Sequence, residues 1–211
     1  MNETCCLCSQ ITKDGEADLL ANVLAQPPGA GQHIVREWPD FVLFPSIGAL
    51  TVGRVILCPR LHVRSMSDLP EVLEQSLIHA MQAVRDLLSN NFGLQIHAFE
   101  HGNSTAGPRV VCTVDHAHLH FIPADVNVDR HLSKYQWTAV SGSLRDITKG
   151  REYLFYESPS GERLVTTGDR VTFPSQYLRR AFADALGVGD RWNWREDPAV
   201  DVTRRTLSSF M

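Results

Sequence analysis

The chain has 211 residues, a formal net charge of −4 and 43% hydrophobic residues, enough for one large domain or for a domain with an extension. The negative charge and the absence of a Lys/Arg run argue against a nucleic acid polymer as partner. No apolar run approaches the roughly 18 residues of a membrane span, and the N-terminus does not resemble a signal segment. Three of the five cysteines crowd into residues 5–8, unlike a disulfide framework. We therefore expect a cytoplasmic protein without a membrane partner.

A Cys-x-x-Cys pair, Cys5 and Cys8, stands near the N-terminus. This spacing can place two thiolates on one metal ion, although two cysteines make only half of a tetrahedral site. A redox motif of the thioredoxin type would need a βαβ context, which the neighbouring sequence does not indicate. Without matching ligands elsewhere in the chain, the two thiols would be idle.

The rest of the chain reads as strands with a few helices. Apolar patterns predict strands or a hairpin over 34–38 and 40–44, and strands over 53–59 and 94–100. A helix over 68–91 is indicated by Asp68 as its cap, Pro70 in its first turn and an apolar stripe at helical spacing. The predicted elements after Pro123 are a hairpin of 153–156 and 163–167, a helix capped by Ser175, and a short helix over 200–210.

Three histidines, His116, His118 and His120, stand two residues apart within the apolar stretch 114–123. Because side chains alternate faces along a β-strand, a strand here would place all three imidazoles on one face. Neighbouring histidines would be roughly 6.6 Å apart at Cα, and the outer pair about 13 Å. A metal–imidazole bond is only about 2.1 Å, so one ion can hardly bind all three rings from a regular strand. At least one ring is left for another purpose.

The pattern His-Ala-His-Leu-His-Phe-Ile over 116–122 resembles the signature of the histidine triad (HIT) family. The Cys5-x-x-Cys8 pair and the Pro59-x-x-His62 segment before a helix strengthen the resemblance. The family has an α+β fold, so the resemblance implies an antiparallel sheet with one helix packed across a face. It also implies a homodimer that pairs two such sheets.

The resemblance covers roughly residues 1–125, which we expect to form a HIT-like catalytic core. Residues 126–211 lie outside it, and we expect them to form a C-terminal extension that packs on this core. The extension contains Arg179, Arg180, Trp194 and Arg195. These residues could close over a substrate, but surface arginines and core tryptophans are the simpler interpretation.

The resemblance implies a closed set of four metal ligands: Cys5, Cys8, His62 and His116. Such a Cys₂His₂ set is typical of a structural Zn²⁺ rather than a catalytic one with an open position. A metal hydrolase that uses His116 and His118 as ligands, with the cysteines idle, is the alternative. The first reading agrees with the distance argument, because it gives one histidine of the triad to the metal and leaves two free.

In the family pattern His118 would be the nucleophile that attacks phosphorus, giving a covalent intermediate that water releases. Its other ring nitrogen would have to hold a proton against a backbone carbonyl. His120 would bond the phosphoryl oxygens or protonate the leaving atom. Thr113, where the family carries a serine, would help to hold the phosphate.

Two positions depart from the family pattern. Glu100-His101-Gly102 stands where members usually have an asparagine before a glycine. His101 could replace the asparagine as a phosphate donor or have no role. With the glycine that follows it, Gly102, His101 is counted among the expected substrate-binding residues. Ser46 stands where many members have an acidic residue that binds the ribose hydroxyls, which puts the usual nucleoside contact in doubt.

The leading hypothesis is a hydrolase of a small nucleotide-like substrate, such as a nucleotidyl ester, phosphoramidate or dinucleoside polyphosphate, through a covalent His118 intermediate. A nucleotidyl transferase or phosphorylase would use the same nucleophile with an acceptor other than water. A nucleotide-binding module without catalysis is the alternative from another class, since the asparagine and the acidic residue are missing.

Overall fold

The computed structural model describes residues 5–13, 18–26, 33–103, 114–168 and 173–211. The strands in these ranges are β1 (Arg36–Glu37), β2 (Phe41–Pro45), β3 (Val55–Pro59), β4 (Ile96–Gly102), β5 (Leu119–Pro123), β6 (Thr138–Ala139), β7 (Tyr153–Glu157) and β8 (Arg163–Thr167). They form one sheet in the order β1-β2-β3-β5-β4-β7-β8-β6. Every pairing between neighbours is antiparallel.

The α-helices of the described ranges are α1 (Cys6–Thr12), α2 (Leu19–Leu24), α3 (Glu74–Phe92), α4 (Asp129–Leu132), α5 (Leu144–Thr148), α6 (Tyr177–Ala185) and α7 (Val200–Ser208). The longest, α3, lies across one face of the sheet and buries Met81, Val84 and Leu88 in the same core as Leu57 and Phe121. The predicted α+β class, an antiparallel sheet with a helix on one face, is confirmed. None of the described helices has the length and apolar character needed to cross a membrane.

The start of α3 differs from the prediction. Two short 3₁₀ turns, Met66–Asp68 and Glu71–Leu73, precede the helix, which begins at Glu74. Proline disfavours the helical conformation in the residue before it, and Leu69 accordingly has ψ 137°. The helix ends at Phe92, and Gly93 follows it with φ 63°, the left-handed conformation expected of a glycine cap. In the extension, α6 likewise starts later than predicted, at Tyr177 after Gln176.

Residues 126–211, the predicted extension, continue the sheet. Strand β4 pairs with β5 on one side and with β7 on the other, in the register Phe99↔Tyr156. The face opposite α3 is covered by α6, whose Leu178 and Phe182 pack with Phe99 and Leu154. The extension thereby covers the sheet face on which His120 and Phe99 lie, with ring centroids 4.8 Å apart.

The prediction of a strand through residues 116–120 is wrong for its first half, because β5 begins only at Leu119. Residues 115 and 116 form a bend. The Ala117 N–H donates to the Val63 carbonyl at 2.7 Å, and the His116 side chain bonds to the Pro59 carbonyl at 2.8 Å. These two contacts turn His116 toward the loop after β3, whereas the rings of His118 and His120 lie against each other with centroids 4.8 Å apart.

Glu100 is buried where β4 meets the turns before α3. Its carboxylate accepts a 2.9 Å hydrogen bond from the Met66 N–H and a short one from the Tyr153 hydroxyl. Burial raises the pKa of Glu100 to about 7, from an ordinary value of 4.5. The folded protein thus retains a proton that the unfolded chain loses. This contribution to stability is fully present below pH 4.5 and is lost as the pH rises through about 7.

We expect the free energy of unfolding to fall by about 2 kcal/mol between about pH 5 and about pH 8, relative to a Glu100→Gln variant that has no proton to lose. Urea denaturation of both proteins at both pH values measures this difference. Comparing the two proteins cancels the pH effects of other groups. The same pH dependence in both would contradict a raised pKa for Glu100.

Candidate active site and metal centre

Four predicted metal ligands come together at the N-terminal end of the fold. The ligand atoms of Cys5, Cys8, His62 and His116 all lie within 4.8 Å of one another. The cysteines come from the start of α1, His62 from the loop after β3, and His116 from the bend before β5. This set could bind a metal ion. The spacing of Cys5 and Cys8 allows both thiols to reach the same ion, because residues one helical turn apart lie on the same side.

The distances in this cluster fit a tetrahedral site. Cys8 Sγ lies 3.2 Å from His62 Nδ1 and 3.4 Å from His116 Nδ1, and Cys5 Sγ lies 3.6 Å from His116 Nδ1. Sulfur and nitrogen ligands at about 2.3 and 2.1 Å from a tetrahedral Zn²⁺ are about 3.5 Å apart. The donor set, two thiols and two imidazoles, suits this ion and would close its coordination.

The protonation of the cluster also suits a cation. His116 donates from Nε2 to the Pro59 carbonyl at 2.8 Å, so its Nδ1 carries the lone pair that a metal needs. Burial lowers the pKa of His116 to about 4, which keeps the ring neutral. Burial and the neighbouring Cys5 raise the pKa of the Cys8 thiol to about 11. A bound dication reverses this effect by favouring the thiolate.

His118 has the opposite tautomer. Its Nδ1 lies 2.8 Å from the His116 carbonyl oxygen. A carbonyl only accepts, so Nδ1 carries the proton and Nε2 carries the lone pair. Burial, followed by the nearby Arg54 guanidinium, lowers the pKa of His118. The ring is therefore neutral at physiological pH and has one nucleophilic nitrogen.

His120 lies in the middle of the sheet, opposite Ile56 of β3 and Phe99 of β4. Its ring meets the His118 ring edge-on, with centroids 4.8 Å apart. Its Nδ1 lies 3.3 Å from Nη2 of Arg54. Burial lowers the pKa of His120 well below its ordinary value, and Arg54 adds to this effect. Two neutral imidazoles thus stand side by side.

A cavity of about 100 Å³ lies in front of these two rings, with room for a phosphoryl group or several water molecules. Its walls come from the sheet, from the N-terminal helices and from the extension. Besides His118 and His120, the lining side chains include Ser46, Ile56, Phe99, Leu7, Gln10, Gln176, Leu178, Arg179 and Trp194. The cavity is therefore built jointly by the predicted core and by the extension.

The predicted substrate-binding residues have different surroundings. His101 and Ser46 both line the cavity. His101 Nε2 lies 2.7 Å from Glu152, and the Ser46 hydroxyl donates to the Ile47 carbonyl at 3.2 Å. Gly102 packs under the Tyr153 ring, so closely that a Cβ there would lie 2.1 Å from the ring. Thr113 lies outside the described residues.

Two arginines lie near the histidines: Arg54, which the sequence reasoning missed, and Arg179, for which it favoured a surface position over a substrate contact. Arg54 is fully buried, and Arg179, read from sequence as a surface residue, is only 4% exposed. Arg179 donates to the carbonyls of Gly48, Arg191 and Trp192. A signal for Arg54 was present, since it directly precedes the apolar run Val55–Pro59. No such signal exists for Arg179, whose burial depends on how the extension folds back.

Comparison with known proteins supports the resemblance. A family model, the HIT domain, matches residues 29–127. This match ends close to residue 125, where the sequence resemblance ends. Comparison with curated proteins gave no match.

Similar solved structures carry the same family name. A HIT-like protein from Bartonella henselae, described as involved in cell-cycle regulation, is 24% identical, covers 51% of this chain and 76% of its own, and has a TM-score of 0.38. A HIT family member from Bacillus subtilis is 20% identical, with coverages of 57% and 73% and a TM-score of 0.42. A HIT family hydrolase from Clostridium thermocellum is 18% identical, with coverages of 59% and 93% and a TM-score of 0.40.

Proposed function

We propose that this chain, whose residues 29–127 match the HIT domain, is a hydrolase that cleaves a phosphorus–oxygen or phosphorus–nitrogen bond of a small nucleotide-like substrate. His118 would be the nucleophile, and His120 would assist it. The observation that carries the proposal is the 2.8 Å contact between His118 Nδ1 and the His116 carbonyl oxygen. This contact leaves the lone pair on Nε2 of a ring that lines the cavity.

The reaction would have two steps. In the first, the Nε2 lone pair of His118 forms a bond to phosphorus while the bond to the leaving group breaks, its electron pair going with the leaving atom. In the second, a water oxygen forms a bond to phosphorus and the nitrogen–phosphorus pair returns to Nε2. The proton that the water loses passes to solvent. The Nδ1–H bond to the His116 carbonyl would hold the ring in place and stabilise its positive charge between the steps.

His101 would contribute to phosphate binding from the loop side of the cavity, with Glu152 orienting its ring. Ser46, Gly102 and Thr113 remain proposed substrate contacts. Of these, Ser46 has the clearest support because it lines the cavity.

For the metal, we infer Zn²⁺ in a structural role, held by Cys5, Cys8, His62 and His116. When bound, it would fasten α1 to the loop after β3 and to the bend before β5. His116 would thereby be fixed, and with it the carbonyl that orients His118. The chemistry itself would belong to His118 and His120.

The homodimer that the resemblance implies stays a prediction. The antiparallel partners on both sides of β4 are β5 and β7. Since β4 is paired on both sides, two sheets would have to pair through an outer strand, β1 or β6, or through another surface. The residues after 125 would form an extension whose strands supply one neighbour of β4 and whose helix α6 closes the cavity.

The test of the proposed function is incubation of the purified protein with nucleotidyl esters, phosphoramidates and dinucleoside polyphosphates, with and without inorganic phosphate. We expect release of a nucleoside monophosphate whose new oxygen comes from ¹⁸O-labelled water. Products that carry added phosphate would instead indicate a phosphorylase. Nucleotide binding without turnover would indicate a binding module and contradict the proposal.

A further inference from the structure

Arg54 is a buried cation whose one polar side-chain contact in the described chain is His120. It is 0% exposed, and its Nη2 lies 3.3 Å from His120 Nδ1. Its Nε and Nη1 are buried without a hydrogen-bond partner among the described residues. Its guanidinium carbon lies 5.7 Å from the centroid of the Phe99 ring, which in turn packs against His120. Burying a charge without a carboxylate partner costs folding free energy. The position of Arg54 therefore calls for a functional reason.

The contact fixes where the proton of His120 lies. Every nitrogen of a guanidinium is a donor and none accepts, and a guanidinium stays protonated in proteins even when burial lowers its pKa. His120 Nδ1 must therefore carry a lone pair, which places the ring proton on Nε2. The other charges that act on His120 come from His118 and Arg179, both basic. None of these groups favours a second proton on the ring.

This tautomer limits what His120 can do. A neutral imidazole with its proton on Nε2 donates a hydrogen bond to a phosphoryl or bridging oxygen. It cannot hand that proton to a leaving group without becoming an imidazolate anion. His120 is thus a hydrogen-bond donor and not a general acid, which decides between the two roles that the sequence left open.

We propose that the Arg54–His120 contact restricts this site to phosphoric anhydrides, whose leaving group departs as a stable anion. Phosphoramidates and alkyl esters, whose leaving group needs a proton, would be poor substrates. The inference rests on the proposed function. When His118 attacks an anhydride, the electron pair of the broken phosphorus–oxygen bond stays on the leaving phosphate, and no proton is transferred. Arg179, which lines the cavity, supplies positive charge for that anion.

The experiment compares two substrates that share the transferred nucleotidyl group: a dinucleoside triphosphate and a nucleoside 5′-phosphoramidate of an alkylamine. For the wild-type protein we expect kcat/KM to be at least about 100-fold higher for the anhydride, the usual worth of a missing general acid. In an Arg54→Met variant, Nδ1 of His120 is free to take a proton. The ratio of the two kcat/KM values is then expected to fall by about 10-fold or more.

Two further variants test whether the effect of Arg54 comes from its charge beside His120 Nδ1 and whether another histidine supplies the proton. Arg54→Lys keeps a cationic donor beside Nδ1 and should preserve the wild-type ratio. His101 is the other histidine that lines the cavity, so His101→Gln tests whether it serves as the acid. Cleavage of both substrates at similar rates by the wild-type protein would overturn the inference. If the His101→Gln variant then lost cleavage of the phosphoramidate, His101 would be identified as the proton donor.

Nitrogen-15 NMR of the histidine rings tests the contact in the wild-type protein, without substrate. We expect His120 with a proton on Nε2 and none on Nδ1, assigned through loss of its signals in a His120→Asn variant. A proton on Nδ1 would overturn the inference. Failure of the proposed function gives a different result, because neither substrate would then be cleaved. The NMR measurement would still show which nitrogen of His120 carries the proton.

Discussion

A His118→Ala variant is expected to lose turnover by roughly 10³-fold or more, about 4 kcal/mol of transition-state stabilisation. The reason is that, among the three histidines of the triad, His118 alone has a lone pair that its tautomer leaves free on the cavity side. His116 Nδ1 faces the cysteines, and His120 Nδ1 faces Arg54. Neither of the other two imidazoles of the triad can therefore take over the attack. The measurement is steady-state kinetics on whichever substrate the wild-type protein cleaves.

Two controls make this loss specific. His79 lies on the exposed side of α3 and bonds Gln75, so His79→Ala should keep the wild-type rate. In a His118→Gly variant, added imidazole should restore part of the activity, because a free imidazole can enter the vacated space and attack in place of the side chain. Undiminished turnover by His118→Ala would remove this residue from the mechanism.

Replacing both Cys5 and Cys8 by serine is expected to abolish metal binding and to destabilise the fold. Each ligand deletion removes a thiolate from a closed four-ligand site, and the binding free energy of a structural zinc contributes directly to folding. We expect metal content to fall from about one ion per chain to near zero. The free energy of unfolding should fall on the order of 3 kcal/mol, because α1 and the bend at His116 lose their common anchor.

Elemental analysis by mass spectrometry and urea denaturation measure these two effects. Cys6→Ser is the matched control, since Cys6 lies between the two ligands in sequence but outside the cluster of ligand atoms. It should keep the metal. Zinc retained at full stoichiometry in the Cys5→Ser, Cys8→Ser variant would contradict the ligand set and favour the alternative in which His116 and His118 bind the metal.

The sequence was most informative where chemistry depends on local spacing. The Cys5-x-x-Cys8 pair, the Pro59-x-x-His62 segment and the histidine spacing carry the family resemblance. That resemblance implied which four side chains meet, and the structure brings them together. The α+β class followed from the resemblance, and the apolar patterns placed most strands. Each of these predictions rests on patterns within a short window.

The departures arise from contacts between distant parts of the chain. The strand at His116 was predicted from alternation alone, but the bonds to Val63 and Pro59 bend the backbone there. Alternation also could not assign the tautomers, which depend on partners as remote as Arg54. The burial of Arg179 follows from carbonyls of Gly48 and Trp192 that meet only when the extension folds over the core. Such long-range hydrogen bonds leave no periodic trace in the sequence.

The central claim is that the middle histidine of the triad bonds to phosphorus. Its most direct test is an alkaline quench of the protein during turnover, which preserves a phosphorus–nitrogen bond, followed by intact mass and peptide mapping. The account predicts one nucleotidyl group per chain, located on His118 and absent from His118→Ala. Turnover with no adduct, or an adduct on another residue, would contradict it.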